Sequence, residues 1–489
     1  MARFPNGDWI RFAKAVRTGL EKDSRGPVPA RGKAGPGALF WEGDPEQAKA
    51  WDLADGAWLY GYWTHDWAED FLRVDSLIET PTNLVLNLKG IHHYGICGGR
   101  TSGAKKRRYF VLNLPEELDA PGEFWIDRAA KKLYLLPPDG FAEKDCLLAV
   151  LDRRFLQSSP KADVHDIRFE NLTFTAAHAD LAVELKAARV VFSGCEFSNL
   201  GGGGLSLSGK EIRVENCVLR NLGGLGVMLG GGRAETLEPA GNAVVNCDIS
   251  RYARFHRTYT PAVRCYGVGQ QVIGNKIHDA PHQAICWGGQ CHRFARNEIY
   301  RVLTETADSG ALYMGRNTSH LGTEIVGNHF HDLAENDVEL RRHTFAVYFD
   351  DCGWGGDVIS NRFERLGCGI LIGGGNLHRV EGNVFKDCDC GLSCGSRGRT
   401  WPLFRTEPKP GVSWFESFLL KYDYRKGVWR ERFPQLEGLL ADRPDLPRMN
   451  PIVHNTFIAC GKVWRFDKLA ESVTNEMPVA DNVIRSAEW

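Results

Sequence analysis

The chain has no excess of either charge, no apolar run approaching a membrane span and no long stretch of helical period, and each lack removes a class of answer. Its 60 Lys and Arg against 61 Asp and Glu leave a net charge of −1 over 489 residues, so composition offers no basic surface for a nucleic acid backbone. No segment is apolar for long enough to cross a bilayer, and MARFPNGDWIRFAKAV (1–16) lacks the apolar core of an export signal. A paired CxxC set is missing from the 14 cysteines: Cys388-x-Cys390-x3-Cys394 and Cys286-x4-Cys291-His292 do not repeat the spacing of a zinc site. The thiols therefore read as reduced and buried, and neither a metal nor another cofactor is expected.

What is present is a repeat. Aligning short units on the residue two before an apolar Phe, Ile or Leu gives Leu172, Cys195, Cys217, Cys247, Asn275, Asn297, Asn328, Asn361, Asn383, Asn455 and Asn482. The steps 195 to 217, 275 to 297 and 361 to 383 are each 22 residues, and longer steps read as insertions into one turn of a common coil. Within 270–290, short alternating apolar runs are separated by Gly, Asn and Asp corners, so each coil is about three short strands. Stacked coils pair each strand in parallel with its copy and put the Asn residues in one amide ladder, with Cys195, Cys217 and Cys247 on the same rung earlier in the stack. The fold predicted is all-β: a right-handed parallel β-helix over 151–489, interrupted by a short helical insertion at about 399–449. The glycine clusters at 201–204 and 230–232 open no helix and read as turns rather than phosphate loops.

Residues 41–150 break the repeat and read as an inserted all-β domain, with a strand, turn and strand over 122–138 and a dense cluster of Trp and Tyr from Trp41 to Trp67. Most of that cluster is expected to be core. Residues 1–40 read as an entry segment, the remnant of an upstream β-helix part, because a solenoid needs a cap over its first coil and this stretch offers none.

Carboxylates concentrate in two neighbouring coils. One carries Glu305-Thr-Ala-Asp308-Ser-Gly-Ala-Leu-Tyr313-Met-Gly-Arg316 and the next carries Ala346-Val-Tyr348-Phe-Asp350-Asp351. Equivalent positions in stacked coils lie one rung apart, so these acids can share a face. Glycoside hydrolysis needs such a pair, one acid to protonate the leaving oxygen and one carboxylate to attack carbon or activate water. Asp308, Asp350 and Asp351 are the candidate catalytic residues, and Tyr313, Arg316, Tyr348, His282, Trp287, Trp354 and His256 the candidate substrate-binding residues.

At these strings the sequence resembles a known family. NLPEELDAPGEFWIDRAAKKLYLLPP (113–138), TPAVRCYGVG (260–269), IHDAPHQAICWGG (277–289), ETADSGALYMGR (305–316) and AVYFDDCGWG (346–355) resemble the bacterial β-helix proteins around glycoside hydrolase family 141. The resemblance implies a pectin lyase-like fold, action on plant cell-wall polysaccharide as an α-L-fucosidase or xylanase, and an aspartate pair: Asp308 from the DSG motif, and Asp350 or Asp351 from the second motif. Family members begin with an export signal and a first β-helix segment upstream of an RxPN motif, whereas this chain starts at Arg3-Phe-Pro-Asn6; the chain, if complete, is expected to be cytoplasmic.

Two other classes stay open. A β-helix polysaccharide lyase would draw on Arg264, His256, His282 and Tyr313 to neutralise a uronate and remove its proton. A non-catalytic carbohydrate-binding solenoid would use the same groove without turnover. Either way the expected partner is an oligo- or polysaccharide, bound by a monomer with no nucleic acid and no membrane involved.

Overall fold

A computed structural model describes residues 1–19, 35–97, 107–142, 146–335 and 337–486, which divide into two compact units, Met1–Leu147 and Leu148–Trp489. In the first unit an antiparallel sheet is built around strands Trp58–Tyr62, Glu69–Glu79, Leu84–Lys89 and Arg108–Leu112. Residues 1–40, read from sequence as an entry segment, supply strands to this sheet: Arg3–Phe4 and Ile10–Arg11 pair with Arg108–Leu112, and Ala38–Phe40 pairs with Leu84–Lys89. Residues 20–34 of that segment lie outside the described residues. Trp41, Trp51 and Trp63 are buried in the unit's core, as burial of large aromatics favours, and the hairpin Phe124–Asp127 with Lys132–Leu135 matches the strand, turn and strand read from sequence.

The second unit is the right-handed parallel β-helix. Each coil has three strands, as in Ile285–Trp287, Arg293–Ala295 and Glu298–Tyr300, and every one pairs in parallel and in register with its counterpart in the adjacent coils. The third strands stack into a sheet of 11. Between second and third strands the chain turns sharply at one left-handed residue (Gly274, Arg296, Gly327, Ser360 or Gly382), and the next residue is the ladder asparagine.

The ladder is continuous. Asn275 Nδ2 donates to Asn297 Oδ1 at 2.9 Å, Asn297 Nδ2 to Asn328 Oδ1 at 2.9 Å and Asn328 Nδ2 to Asn361 Oδ1 at 2.9 Å, and the run continues through Asn383 and Asn455 to Asn482. Each Oδ1 also accepts the backbone N–H of the previous rung, and each Nδ2 also donates to a carbonyl in the coil before it, Val272 O at 2.9 Å for Asn297 and Phe294 O at 2.9 Å for Asn328. The thiols of Cys195, Cys217 and Cys247 take over that last contact, pointing at Phe169 O, Val214 O and their equivalents at 3.5 Å. Leu172, aligned on the same rung, is exposed and lies outside the ladder. Two residues on, the inward side chains stack in turn, Phe330 on Phe363 at 5.1 Å, Phe363 on Phe385 at 4.7 Å and Phe385 on Phe457 at 4.7 Å. All 14 cysteines are unbridged.

The helical insertion carries short helices at Trp414–Ser417, Gly427–Arg432 and Leu436–Ala441 around a separate apolar cluster. Truncating a central rung would strand two buried donors, each costing about 1–3 kcal/mol. Asn328→Ala should therefore destabilise the solenoid by roughly 2–4 kcal/mol, read as a lower denaturant midpoint. Asn328→Cys, which keeps the donor toward Phe294 O, should recover part of the loss; a midpoint unchanged by Asn328→Ala would show that the ladder is incidental.

Candidate active site

Strands Ser309–Gly315 and Thr344–Asp350 lie side by side in parallel, with Tyr313 opposite Tyr348 and Gly315 opposite Asp350. Alternation along a strand turns Leu312, Met314, Val347 and Phe349 into the solenoid and leaves Tyr313, Tyr348 and Asp350 on the outer face. Asp308 sits just before the first strand in a left-handed conformation (φ 52°), and Asp351 just after the second (φ 41°). The glycine of the DSG motif is required by close approach: a Cβ on Gly310 would come within 2.5 Å of Tyr348 Cβ.

The outward groups form one hydrogen-bonded array. Tyr348 donates its hydroxyl to Asp308 Oδ1 at 3.0 Å, and Tyr313 donates to Asp350 Oδ2 at 3.0 Å. Arg316 Nε donates to Asp351 Oδ2 at 2.6 Å. Arg397, from the short helix Arg397–Thr400, reaches back to bind Asp350 Oδ1, Asp351 Oδ1 at 2.7 Å and the Tyr348 hydroxyl at 3.2 Å. Sequence reasoning missed Arg397. The trace of it in the sequence is Gly374, in a left-handed conformation (φ 92°), where a Cβ would stand 2.8 Å from the Arg397 backbone N.

These contacts set the charges. Burial raises the Asp350 carboxyl to about 6, and the neighbouring charge of Asp351 adds to the rise while Arg397 opposes it. Burial holds the Tyr348 phenol well above its usual range, with Asp350 and Asp308 contributing, and burial with Asp350 does the same for Tyr313. Both tyrosines are thus kept as hydroxyl donors. Burial works against the charge of Arg397, but Tyr348 and the three aspartates outweigh it and hold it cationic. The Asp350 side chain is 13% exposed against 2% for Asp351, so Asp350 is the more open of the two.

The other candidates divide. His282 is buried and held neutral, its pKa lowered to about 3 by burial with the Arg264 charge adding to it; its Nδ1 accepts from Tyr259 N at 2.9 Å. The Tyr259 ring connects it to the array, 5.3 Å from His282 and 5.9 Å from Tyr313. Trp287 and Trp354, expected at the groove, are not brought there. Trp287 lies inside the solenoid against Phe294 and Phe349, because it follows Ile285 by two and shares its inward direction. Trp354 is buried against Phe415 of the helical insertion. His256 is exposed beside Phe255. A cleft of about 440 Å³ lined by Arg254, Arg257, Thr304 and Glu305 opens beside the segment leading into Asp308, but the three aspartates do not line it.

No protein-family model matches the chain, and no curated protein sequence does. Among solved structures it is similar to one described as a glycoside hydrolase, at 17% identity over 72% of this chain and 71% of that one, with a TM-score of 0.58. XylC in complex with xylose (10% identity, 97% and 75% covered, TM-score 0.40) and a PL6 family polysaccharide lyase from Pseudopedobacter saltans (12%, 68% and 84%, 0.35) are more distant. At these identities the first likeness is one of fold, and the other two carry no argument.

A raised carboxyl has a sign in stability. Folded Asp350 titrates near 6 and an unfolded aspartate near about 3.9, so the native state binds the extra proton between these values and its stability falls as pH rises through that window. Asp350→Asn lacks this proton uptake. Its stability relative to the parent should climb by about 1–3 kcal/mol between pH ~4 and ~7, measured by denaturant unfolding; a pH-independent difference would place the Asp350 carboxyl at its ordinary value.

Proposed function

We propose that this protein is a glycoside hydrolase in which Asp350 and Asp308 work as the carboxylate pair on the outer face of the β-helix. The single observation that carries the reading is the array itself: two aspartates from consecutive coils, each held by a tyrosine hydroxyl from the other's strand, with a half-buried arginine fixing the second. The resemblance of 305–316 and 346–355 to the motifs of glycoside hydrolase family 141 supports it, as does a fold similar to that of a glycoside hydrolase.

In this reading Asp350 is the general acid. Its carboxyl is protonated for part of the time near neutrality and passes its proton to the glycosidic oxygen as the carbon–oxygen bond breaks. Asp308 either bonds to the anomeric carbon or takes a proton from the water that does. Asp351 is a positioning residue: enclosed between Arg316 and Arg397, it keeps Arg397 on Asp350 and its charge sustains the raised pKa. The substrate class is an oligo- or polysaccharide of plant or bacterial origin.

Assay against a panel of cell-wall glycans should show new reducing ends and no unsaturated uronate, which a lyase would leave. Asp350→Asn and Asp308→Asn should each lower kcat about 10²–10⁴-fold with the far-ultraviolet spectrum intact, while Asp351→Asn, by removing a charge that raises the Asp350 carboxyl, should move the alkaline limb of the pH profile to lower pH. Cleavage by Asp308→Asn and Asp350→Asn at near-parent rate would make these carboxylates structural, and glycan binding without any product would favour a binding solenoid.

A further inference from the structure

The sheet of third strands carries a second constellation, separate from the aspartate array. His329 and His331 alternate on strand His329–His331 and so project from one face. Glu298 of the preceding coil lies in register with His329, and Glu364 of the following coil in register with His331. One ligand atom from each of Glu298, His329 and His331 lies within 4.8 Å of the other two, and His331 Nε2 is 3.4 Å from Glu298 Oε1.

The surroundings already hold both imidazoles in place. His331 Nδ1 is 2.8 Å from Asp332 Oδ2, and Asp332 is gripped through both oxygens by Arg365 at 2.6 Å each. The His331 ring stacks on Tyr300 at 5.0 Å and 7°. His329 Nε2 is 3.0 Å from Glu364 Oε2, and Glu364 is paired with Arg362. A carboxylate behind each imidazole is the outer shell that fixes ring orientation and raises ligand basicity at metal centres. Glu298 is 41% exposed, which leaves an approach from solvent. A surface ion-pair ladder accounts for a lone imidazole between two carboxylates, as at His278 with Asp279 and, at 3.2 Å, Asp248 of the preceding coil. It does not call for two imidazoles and a carboxylate converging from adjacent coils.

We propose that Glu298, His329 and His331 form a binding site for one divalent transition-metal ion. Two imidazoles with one carboxylate suit Zn²⁺, Ni²⁺ or Cu²⁺ over the all-oxygen preference of Ca²⁺ and Mg²⁺. The ion would cross-link two neighbouring coils.

The test is calorimetric titration of chelator-treated full-length protein with ZnCl₂ and, separately, CaCl₂, with anomalous diffraction from a zinc-soaked crystal of the parent. One saturable equivalent of Zn²⁺ with no comparable Ca²⁺ binding is expected, lost in His331→Ala and weakened about 10–100-fold in Asp332→Asn. Glu298→Gln, at an exposed position, should also weaken it and provides a variant free of folding risk should His331→Ala misfold. The anomalous peak should lie among Glu298, His329 and His331. No saturable binding, binding unchanged by these substitutions, or a peak at the cysteines would overturn the assignment.

Discussion

In-register parallel stacking is the constraint on which the structure depends. Neighbouring strands sit about 4.8 Å apart, so any side chain placed at one position of a coil must coexist with its copies directly above and below. The Asn ladder solves this for the sharp corner between second and third strands. An amide has both an acceptor and two donors, so it can receive the backbone N–H of one coil, donate to the next rung and still reach a carbonyl in the coil behind it. A thiol is a weaker donor and acceptor than an amide, and the cysteine rungs keep the contact to the carbonyl in the coil behind.

The same constraint builds the candidate active site. Like residues stack favourably when they are amides or phenyl rings, but three carboxylates in adjacent positions repel. The site resolves this by interleaving: tyrosines occupy the paired positions on the two strands, each lends its hydroxyl to the other coil's aspartate, and Arg397 supplies the balancing charge. The residual imbalance appears as a raised carboxyl at Asp350. A structural anchor would be better served by full compensation, as at Asp332, where a bidentate arginine lowers the pKa to about 2.

Much of the solenoid could be read from the chain because its signals are local and repeated. A Gly-Asn or Cys followed two residues later by Phe or Ile, at steps of 22, marks a corner and an inward position wherever it occurs. The aspartates were legible because they sit on that frame. Arg397 was not, since it lies outside the repeat and returns to Asp350 only through the path of an insertion. Trp287 shows the opposite error. It was named among the substrate-binding candidates, while the alternation Ile285-Cys286-Trp287 already placed it with the core. The strands Arg3–Phe4, Ile10–Arg11 and Ala38–Phe40 were missed because they pair with strands more than 40 residues away and no period connects them.

The pairing of Asp350 with Asp308 as acid and base is tested most directly by a crystal structure of Asp308→Asn holding a glycan that the parent hydrolyses. The account predicts the scissile glycosidic oxygen within about 2.6–3.2 Å of an Asp350 carboxyl oxygen, with the anomeric carbon facing residue 308. A glycan bound along the same groove with its cleaved bond out of reach of Asp350, or bound elsewhere on the solenoid, would contradict it.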